Sequence, residues 1–350
     1  MPTFQAEPLE KFSKALFVAA GVPADEAEVV SRSLVDANLC GHDSHGIMRV
    51  AQYIGFVREK KLFCNVPLDK LHETPAMFAG DANWGLGQVQ TYRLLDLIFP
   101  KAQALGIAAG TMRKCGHIGR LGEYAEWAAA RGCAFFATVN SHGSGRRVAP
   151  PGGTGGRIST NPLCLGAPTP TDPLVLDIGT SAAAEGKVRV SFQKGEKVPD
   201  GWLVDNRGQP TNDPGSLYQD PPGTILPFGG PQAYKGFGLG LLLDALAGGL
   251  SGGMCSRPEA PMAGLGNSVV MILIDINQFG GSEHFLKESG NLAAFVRSSP
   301  TAAGVQSITL PGDPERQNKQ KRLADGIAIS DGTWAILTKL ADELKVTPPK

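Results

Sequence analysis

The sequence predicts an α/β chain of the α+β type, in which a helical subdomain stands beside a separate sheet-containing domain. Three observations carry this reading. The first seventy residues show only helical periodicity, the middle of the chain changes to short apolar strands separated by glycines, and the tail returns to helix. With 350 residues, 42% of them hydrophobic, the chain is able to bury a substantial core, and its length admits two domains. The expected division is 1–70 with 300–350 for the helical part and 71–299 for the sheet part.

The elements follow in order. Residues 8–20 set Leu9, Phe12, Leu16 and Ala19 on one helical face, and Gly21 and Pro23 end that helix. Asp25 is placed to cap a second helix that runs through Leu39 and stops at Gly41. A third helix is expected over 46–61, with Ile47, Val50, Ile54 and Val57 as its apolar stripe. Residues 76–80 and 107–112 read as strands around a helix at 88–105. Strands are also expected at 134–140 and 174–178, and 269–276 (VVMILIDI) is the strongest. A helix follows the glycines at 236–250, and two more, 316–328 and 331–344, close the chain.

Several function classes are disfavoured. Lys+Arg and Asp+Glu both number 33, so no basic excess points to nucleic acid. No apolar run opens the chain as a signal peptide would, and the run 238–250 is short and interrupted by Asp244, so no membrane span is expected. Six scattered cysteines without a C-x-x-C pair fit neither a zinc site nor a disulfide framework, which suggests reduced thiols in a cytoplasmic protein. The motifs G-x-G-x-x-G and G-x-x-x-x-G-K-[ST] are absent, which argues against a Rossmann domain and a P-loop enzyme. The 45 glycines nearly double the average of roughly 7%, implying tight turns or close approach of backbone to a ligand.

The segment 41–49 (GHDSHGIMR) is the sharpest candidate for chemistry. Ser44 is a natural N-cap for the third helix, which places His45 in its first turn. His45, Arg49 and Tyr53 follow at four-residue steps and share a face away from the apolar stripe. Histidine passes protons near neutral pH, and arginine grips carboxylates. The plain alternative is a polar face in solvent. A metal reading of His42 and His45 lacks a third ligand at good spacing. In 115–124 (CGHIGRLGEY), glycines open an expected helix whose free N–H groups could take a phosphate, with Arg120 adding charge; a tight turn with a solvated arginine is the alternative. Asp177, ending a strand, could accept ribose hydroxyls or merely form a turn, and Lys187 could face a carboxylate or phosphate. Lys235 precedes the glycines at 236 and 238, and 311–316 (PGDPER) alone indicates a turn.

Taken together these segments resemble one family, the malate/L-lactate dehydrogenases with their own non-Rossmann nicotinamide-binding fold. The matching stretches are GHDSHGIMRVAQY at 41–53, CGHIGRLGEYAEWAA at 115–129, ISTNPLCLGAP at 158–168, VLDIGTSAAAEGKV at 175–188, ILPFGG at 225–230, YKGFGLGLLLDALAGGLSG at 234–252 and LPG at 310–312. The resemblance runs from about residue 8 to 345. It implies a mixed, largely antiparallel sheet, a cofactor that is NAD or NADP, a small 2-oxo or 2-hydroxy acid as substrate, and a homodimer whose active site is shared. It implies roles as well. His45 would be the acid/base with Ser44 beside it, His117 the second candidate for that role, and Arg49 the carboxylate grip, with Tyr53 and Thr160 nearby. His117, Ile118, Gly119, Arg120 and Leu121 would line the cofactor, Asp177, Ile178 and Gly179 would meet its ribose and backbone, and Lys235, Pro311, Gly312, Asp313 and Arg316 would complete its site. Asn267 would sit near the adenine end. At Lys187, which joins the catalytic candidates, the ketimine-reductase branch of the family tends to carry an acid, so lysine favours 2-oxo acids over cyclic imines.

Overall fold

The computed structural model describes residues 1–259 and 266–349. After a two-residue strand, β1 (Thr3–Phe4), apolar spacing produces three helices. In α1 (Ala6–Ala19) Leu9, Phe12 and Leu16 point into the core, and Gly21 at φ +93° supplies the left-handed turn that ends it. In α2 (Ala24–Leu39) the N-cap is Pro23, and Asp25 lies in the first turn, where its charge favours the helix dipole without capping it. The third helix, α3, is shorter than its periodicity suggests. It spans Arg49–Arg58, and residues 43–45 form a separate 3-10 turn before it.

The sheet strands follow. β2 (Asp69–Thr74) and β3 (Met77–Asp81) form a hairpin, and α4 (Gly87–Leu105) leads to β4 (Ile107–Gly116). Then come α5 (Gly122–Ala129), β5 (Cys133–Asn140), β6 (Leu163–Ala167) and β7 (Leu174–Ile178). Next are α6 (Glu185–Lys194) and a small sheet of β8 (Leu203–Val204), β9 (Pro210–Thr211) and β10 (Thr224–Ile225). α7 (Ala233–Leu250) precedes β11 (Gly266–Asp275), and α8 (Ser282–Arg297) and α9 (Asp313–Asp325) follow. β12 (Ile327–Ala328) pairs with β1, and α10 (Asp331–Leu344) ends the fold, capped by Ser330 Oγ accepting from Thr333 N.

The seven-stranded sheet has the order β2-β3-β4-β11-β5-β6-β7. The pair β3–β4 is parallel and its other neighbours run antiparallel, so the mixed, largely antiparallel sheet expected from the resemblance is what forms. β11, the strongest strand in the sequence, lies in the middle, where an unbroken apolar run is needed because both faces are covered. Val269, Met271 and Leu273 turn one way, into a core with Leu94 and Ile98 of α4 and Tyr124 and Ala128 of α5. A second core joins α1, α2, α3, Leu86 just before α4, Val89 of α4, and Leu337 and Leu340 of α10. A third, smaller one gathers Val148, Ile158, Val188, Leu203 and Ile225 around the short sheet. Among the described residues no helix is long and apolar enough to cross a membrane.

Candidate active site

The strand directions bring the conspicuous segments to one edge of the sheet. β3, β4, β5 and β7 end there, and β6 and β11 begin there: Gly116 pairs with Gly266, Asn140 with Ser268, and Leu163 with Ile178. The loops carrying His117, Thr160 and Gly179 therefore leave from neighbouring strand ends, although they are far apart in sequence.

His45 reaches this edge from the helical side, by a route that differs from the expected one. Ser44 caps no helix, and His45 is not in the first turn of α3; both lie in the 3-10 turn Asp43–His45. Gly46 is extended (φ −90°, ψ −155°) and breaks the helix between His45 and Arg49. The cause is the buried Asn38 amide. Its Oδ1 accepts from Ile47 N at 2.7 Å, its Nδ2 donates to Asp43 Oδ1 at 2.6 Å, and it fills the space a side chain on Gly46 would need. Arg49 and Tyr53 do share a helical face, but Tyr53 is a core residue, only 2% exposed.

The structure nonetheless brings these groups together. Ser44 Oγ lies 3.1 Å from His45 Nδ1. The His45 and His117 rings stack at 5.4 Å between centroids. Tyr53 OH is 2.6 Å from His117 Nδ1, and Gln88 Nε2 donates to the same hydroxyl at 3.5 Å. Arg49 is held by Nε donating to Ser44 O at 2.7 Å and Nη1 donating to Gln52 Oε1 at 2.7 Å. Its Nη2 is without a hydrogen bond, and among the described residues it pairs with no carboxylate.

The electrostatics follow from this enclosure. Burial first, then the Arg49 guanidinium and His42, push the His45 imidazole down to about 3. His117 is lowered well below the ordinary histidine range by burial, Arg49 and His45. Burial pushes the Tyr53 phenol up to about 12, so it keeps its proton. At neutral pH the site holds two neutral imidazoles beside one cation that has no anionic partner.

The other expected residues divide. Asp177 stands at the end of β7, and its Oδ2 accepts from Gly122 N at 2.8 Å, so one N–H at the start of α5 is already satisfied. Arg120 is also occupied: only 2% exposed, it donates to Asp36 at 2.9 Å and to both oxygens of Glu126. Its charge serves an internal ion-pair network in place of the phosphate contact its sequence suggests. Asn267 Oδ1 accepts from Ile118 N and its Nδ2 donates to Asn140 O, which sets it at the His117 end of the edge. Thr160 O accepts from Thr180 N beside Gly179. Pro311 O accepts from Val175 N, Arg316 donates to Pro173 O and Asp313, and Glu315 contacts His42 at 3.1 Å, so the 311–316 turn packs along β7. Lys187 and Lys235 are exposed, and no described contact joins either to the histidines.

Sequence reasoning missed Asn38, Gln52 and Gln88, whose partners are set by tertiary folding. A cavity of about 440 Å³ lies elsewhere, between α2, α5 and α9, lined by Cys40, Glu126, Pro168, Arg316 and Lys319. Its charges are paired, Lys319 with Asp36, Glu126 with Arg120 and Arg316 with Asp313.

Residues 4–338 match the family model described as malate/L-lactate dehydrogenase. The L-lactate dehydrogenase of Cupriavidus necator is 33% identical over 345 residues, 97% of each chain. The malate dehydrogenase structure from Pyrococcus horikoshii superposes with a TM-score of 0.89 at 28% identity, covering 99% of this chain and 97% of that one. A δ1-piperideine-2-carboxylate reductase from Pseudomonas syringae superposes at 0.82 and 28% identity over 97% and 100%. The chain belongs to the malate/L-lactate dehydrogenase family.

Proposed function

We propose that the protein is a cytoplasmic NAD- or NADP-dependent dehydrogenase that interconverts small 2-hydroxy acids and 2-oxo acids, with His45 as acid/base and Arg49 as the grip on the substrate carboxylate. The observation that carries this reading is the partly buried Arg49, open at Nη2 and without a carboxylate of its own, one residue pair away from His45. An enclosed cation without a partner is costly, and a substrate carboxylate relieves that cost while fixing the carbon next to it. The six cysteines are free, which supports a reducing compartment.

The chain's residues fit the cofactor. Asp177 Oδ1 has no described partner and suits a ribose hydroxyl, and the loop 117–122 offers backbone close to both histidines. When bound, the nicotinamide supplies or accepts the hydride. The protein's part is to orient substrate and move the proton. Ser44 Oγ engages His45 Nδ1, leaving Nε2 for the substrate oxygen. A carboxylate on Arg49 cancels the charge that depresses His45, so its proton affinity rises once substrate is seated. Tyr53 fixes the orientation of the stacked His117, which stays the second candidate for acid/base.

The same proposal includes a homodimer with a shared site; exposed Leu242, Leu246 and Leu250 along α7, whose first turn carries Lys235, support it. It also treats 1–70 and 300–350 as one helical subdomain, which the core joining α1–α3 to α10 supports. A cyclic ketimine reductase is the second reading, favoured by the piperideine-carboxylate reductase among the structural neighbours. The test is NADH and NADPH oxidation with a panel of 2-oxo acids and cyclic ketimines, on the intact protein and on His45→Ala. Turnover of 2-oxo acids that collapses in His45→Ala, with cofactor affinity kept, is expected. Preference for ketimines selects the second reading, and undiminished turnover in His45→Ala removes the assignment of His45.

A further inference from the structure

Asn38 lies in the last turn of α2 with its side chain turned inward, only 3% exposed, and its amide spans the acid/base turn. Oδ1 accepts from Ile47 N at 2.7 Å, beyond His45, and Nδ2 donates to Asp43 Oδ1 at 2.6 Å, before it. The two ends of the amide are not interchangeable, because a backbone N–H only donates and a carboxylate only accepts. Gly46 shows how closely the amide fits. Its φ of −90° lies outside the left-handed region, so what glycine provides here is room: a Cβ would overlap Oδ1, Cγ and Nδ2 of Asn38.

α9 braces the same unit from outside. Arg322 donates to both oxygens of Asp43, at 2.6 and 3.1 Å, and its Nη1 also donates to the Asn38 carbonyl. The backbone N–H groups of His45 and Gly46 reach only three residues back, to His42 O and Asp43 O. Such bonds have poorer geometry than those of an α-helix, so they do not by themselves hold this path against the longer helix that the spacing of His45, Arg49 and Tyr53 suggests. The Asn38 amide supplies the constraint, and with it the His45 ring leaves the α3 face and stacks on His117 at 5.4 Å.

We infer that Asn38 is a positioning residue for proton transfer: its amide, braced by Arg322, holds residues 43–47 in the path that sets His45 against Ser44 and His117. The inference rests on the proposed role of His45 as acid/base. It requires one amide donor and one carboxylate acceptor between positions 38 and 43, in either order, provided that residue 38 also offers an oxygen to Ile47 N.

The test measures kcat and cofactor affinity with a 2-oxo acid that the intact protein reduces. Asn38→Asp keeps the oxygen for Ile47 N but sets two carboxylates face to face, so kcat should fall tenfold or more with cofactor affinity within threefold. Adding Asp43→Asn restores the donor–acceptor pair at the parent charge, and kcat should return to within threefold of the parent. On a His45→Ala background Asn38→Asp should change residual turnover by less than twofold, because a residue that acts through His45 has nothing left to position. The inference is overturned, with the dehydrogenase reading left standing, if Asn38→Asp stays within twofold of the parent, if the swapped pair is no faster than Asn38→Asp alone, or if the same tenfold loss recurs on the His45→Ala background. Where Asn38→Asp does not fold, or His45→Ala leaves too little turnover to compare, the swapped pair decides: folded but tenfold slower than the parent, it refutes the positioning role. Undiminished turnover in His45→Ala removes the acid/base reading, and this inference with it.

Discussion

Replacing Arg49 by Met tests the electrostatic core of the site, because it removes the charge and keeps much of the aliphatic stem. Arg49 offers a free Nη2 and the remaining hydrogen on Nη1, Nε and the other Nη1 hydrogen being spent on Ser44 and Gln52. Two charge-assisted hydrogen bonds to a carboxylate are together worth about 3–6 kcal/mol. At 1.36 kcal/mol per decade, kcat/KM for a 2-oxo acid should fall by about 10² to 10⁴. A second readout follows from sign. The guanidinium disfavours the imidazolium, so its removal must raise the proton affinity of His45, which stands at about 3 with burial as the larger cause. The rise is therefore partial and stops short of the ordinary value. Steady-state kinetics measure the first effect, and NMR titration of the His45 ring measures the second. A fall of less than tenfold, or a His45 titration that stays put or moves down, refutes the reasoning.

Two further outcomes follow. His45 is held neutral in the fold while its unfolded value is near 6.5, so between about pH 6.5 and 3 the unfolded chain binds the extra proton and stability is lost as pH falls. At pH 4.5 this reaches up to about 3 kcal/mol, so urea unfolding of His45→Asn should lose less stability on acidification from pH 7 to 4.5 than the parent; equal losses contradict it. Tyr53→Phe keeps the buried ring and deletes the 2.6 Å contact with His117 Nδ1. An unsatisfied buried partner costs about 1–3 kcal/mol, so kcat should drop about tenfold with cofactor affinity within threefold; a change in kcat below twofold in stopped-flow and steady-state assays rules out the positioning role of Tyr53.

Much of the fold is legible where one face of an element meets the core. The helices of the first forty residues, β11 and α10 carry their burial pattern in their spacing. β2 (DKLHET) escapes notice because it is an edge strand with almost every side chain exposed, so no alternation marks it. α8 escapes for a similar reason, since none of its residues is buried and Gly290 interrupts it. The start of α3 is misjudged because the residue that decides it, Asn38, belongs to the preceding helix and acts through its amide on Gly46 and Ile47. A local periodicity cannot contain that contact. Arg120 shows the same limit: its spacing beside glycines suggests a ligand, yet its partners arrive from α2 and α5.

The candidate site is legible as residue types but not as a mechanism, and the reason lies in what sequence spacing omits. Spacing puts a histidine near an arginine. It does not show that Tyr53, sixty-four positions from His117, is folded into the core with its hydroxyl against that ring. Nor does it show that both imidazoles are enclosed enough to lose their protons. Those two facts change the order of events that the residues permit. A histidine of ordinary affinity would be partly protonated before substrate arrives and could donate at once. Here the resting imidazoles are neutral, kept so first by burial and then by the cation next to them. In the proposed reaction, an anion settling on Arg49 eases protonation of His45 in the reducing direction. In the oxidising direction the neutral ring is ready as base from the outset. The enclosure that makes the site hard to read from spacing is therefore what would couple substrate binding to proton supply in the proposed reaction.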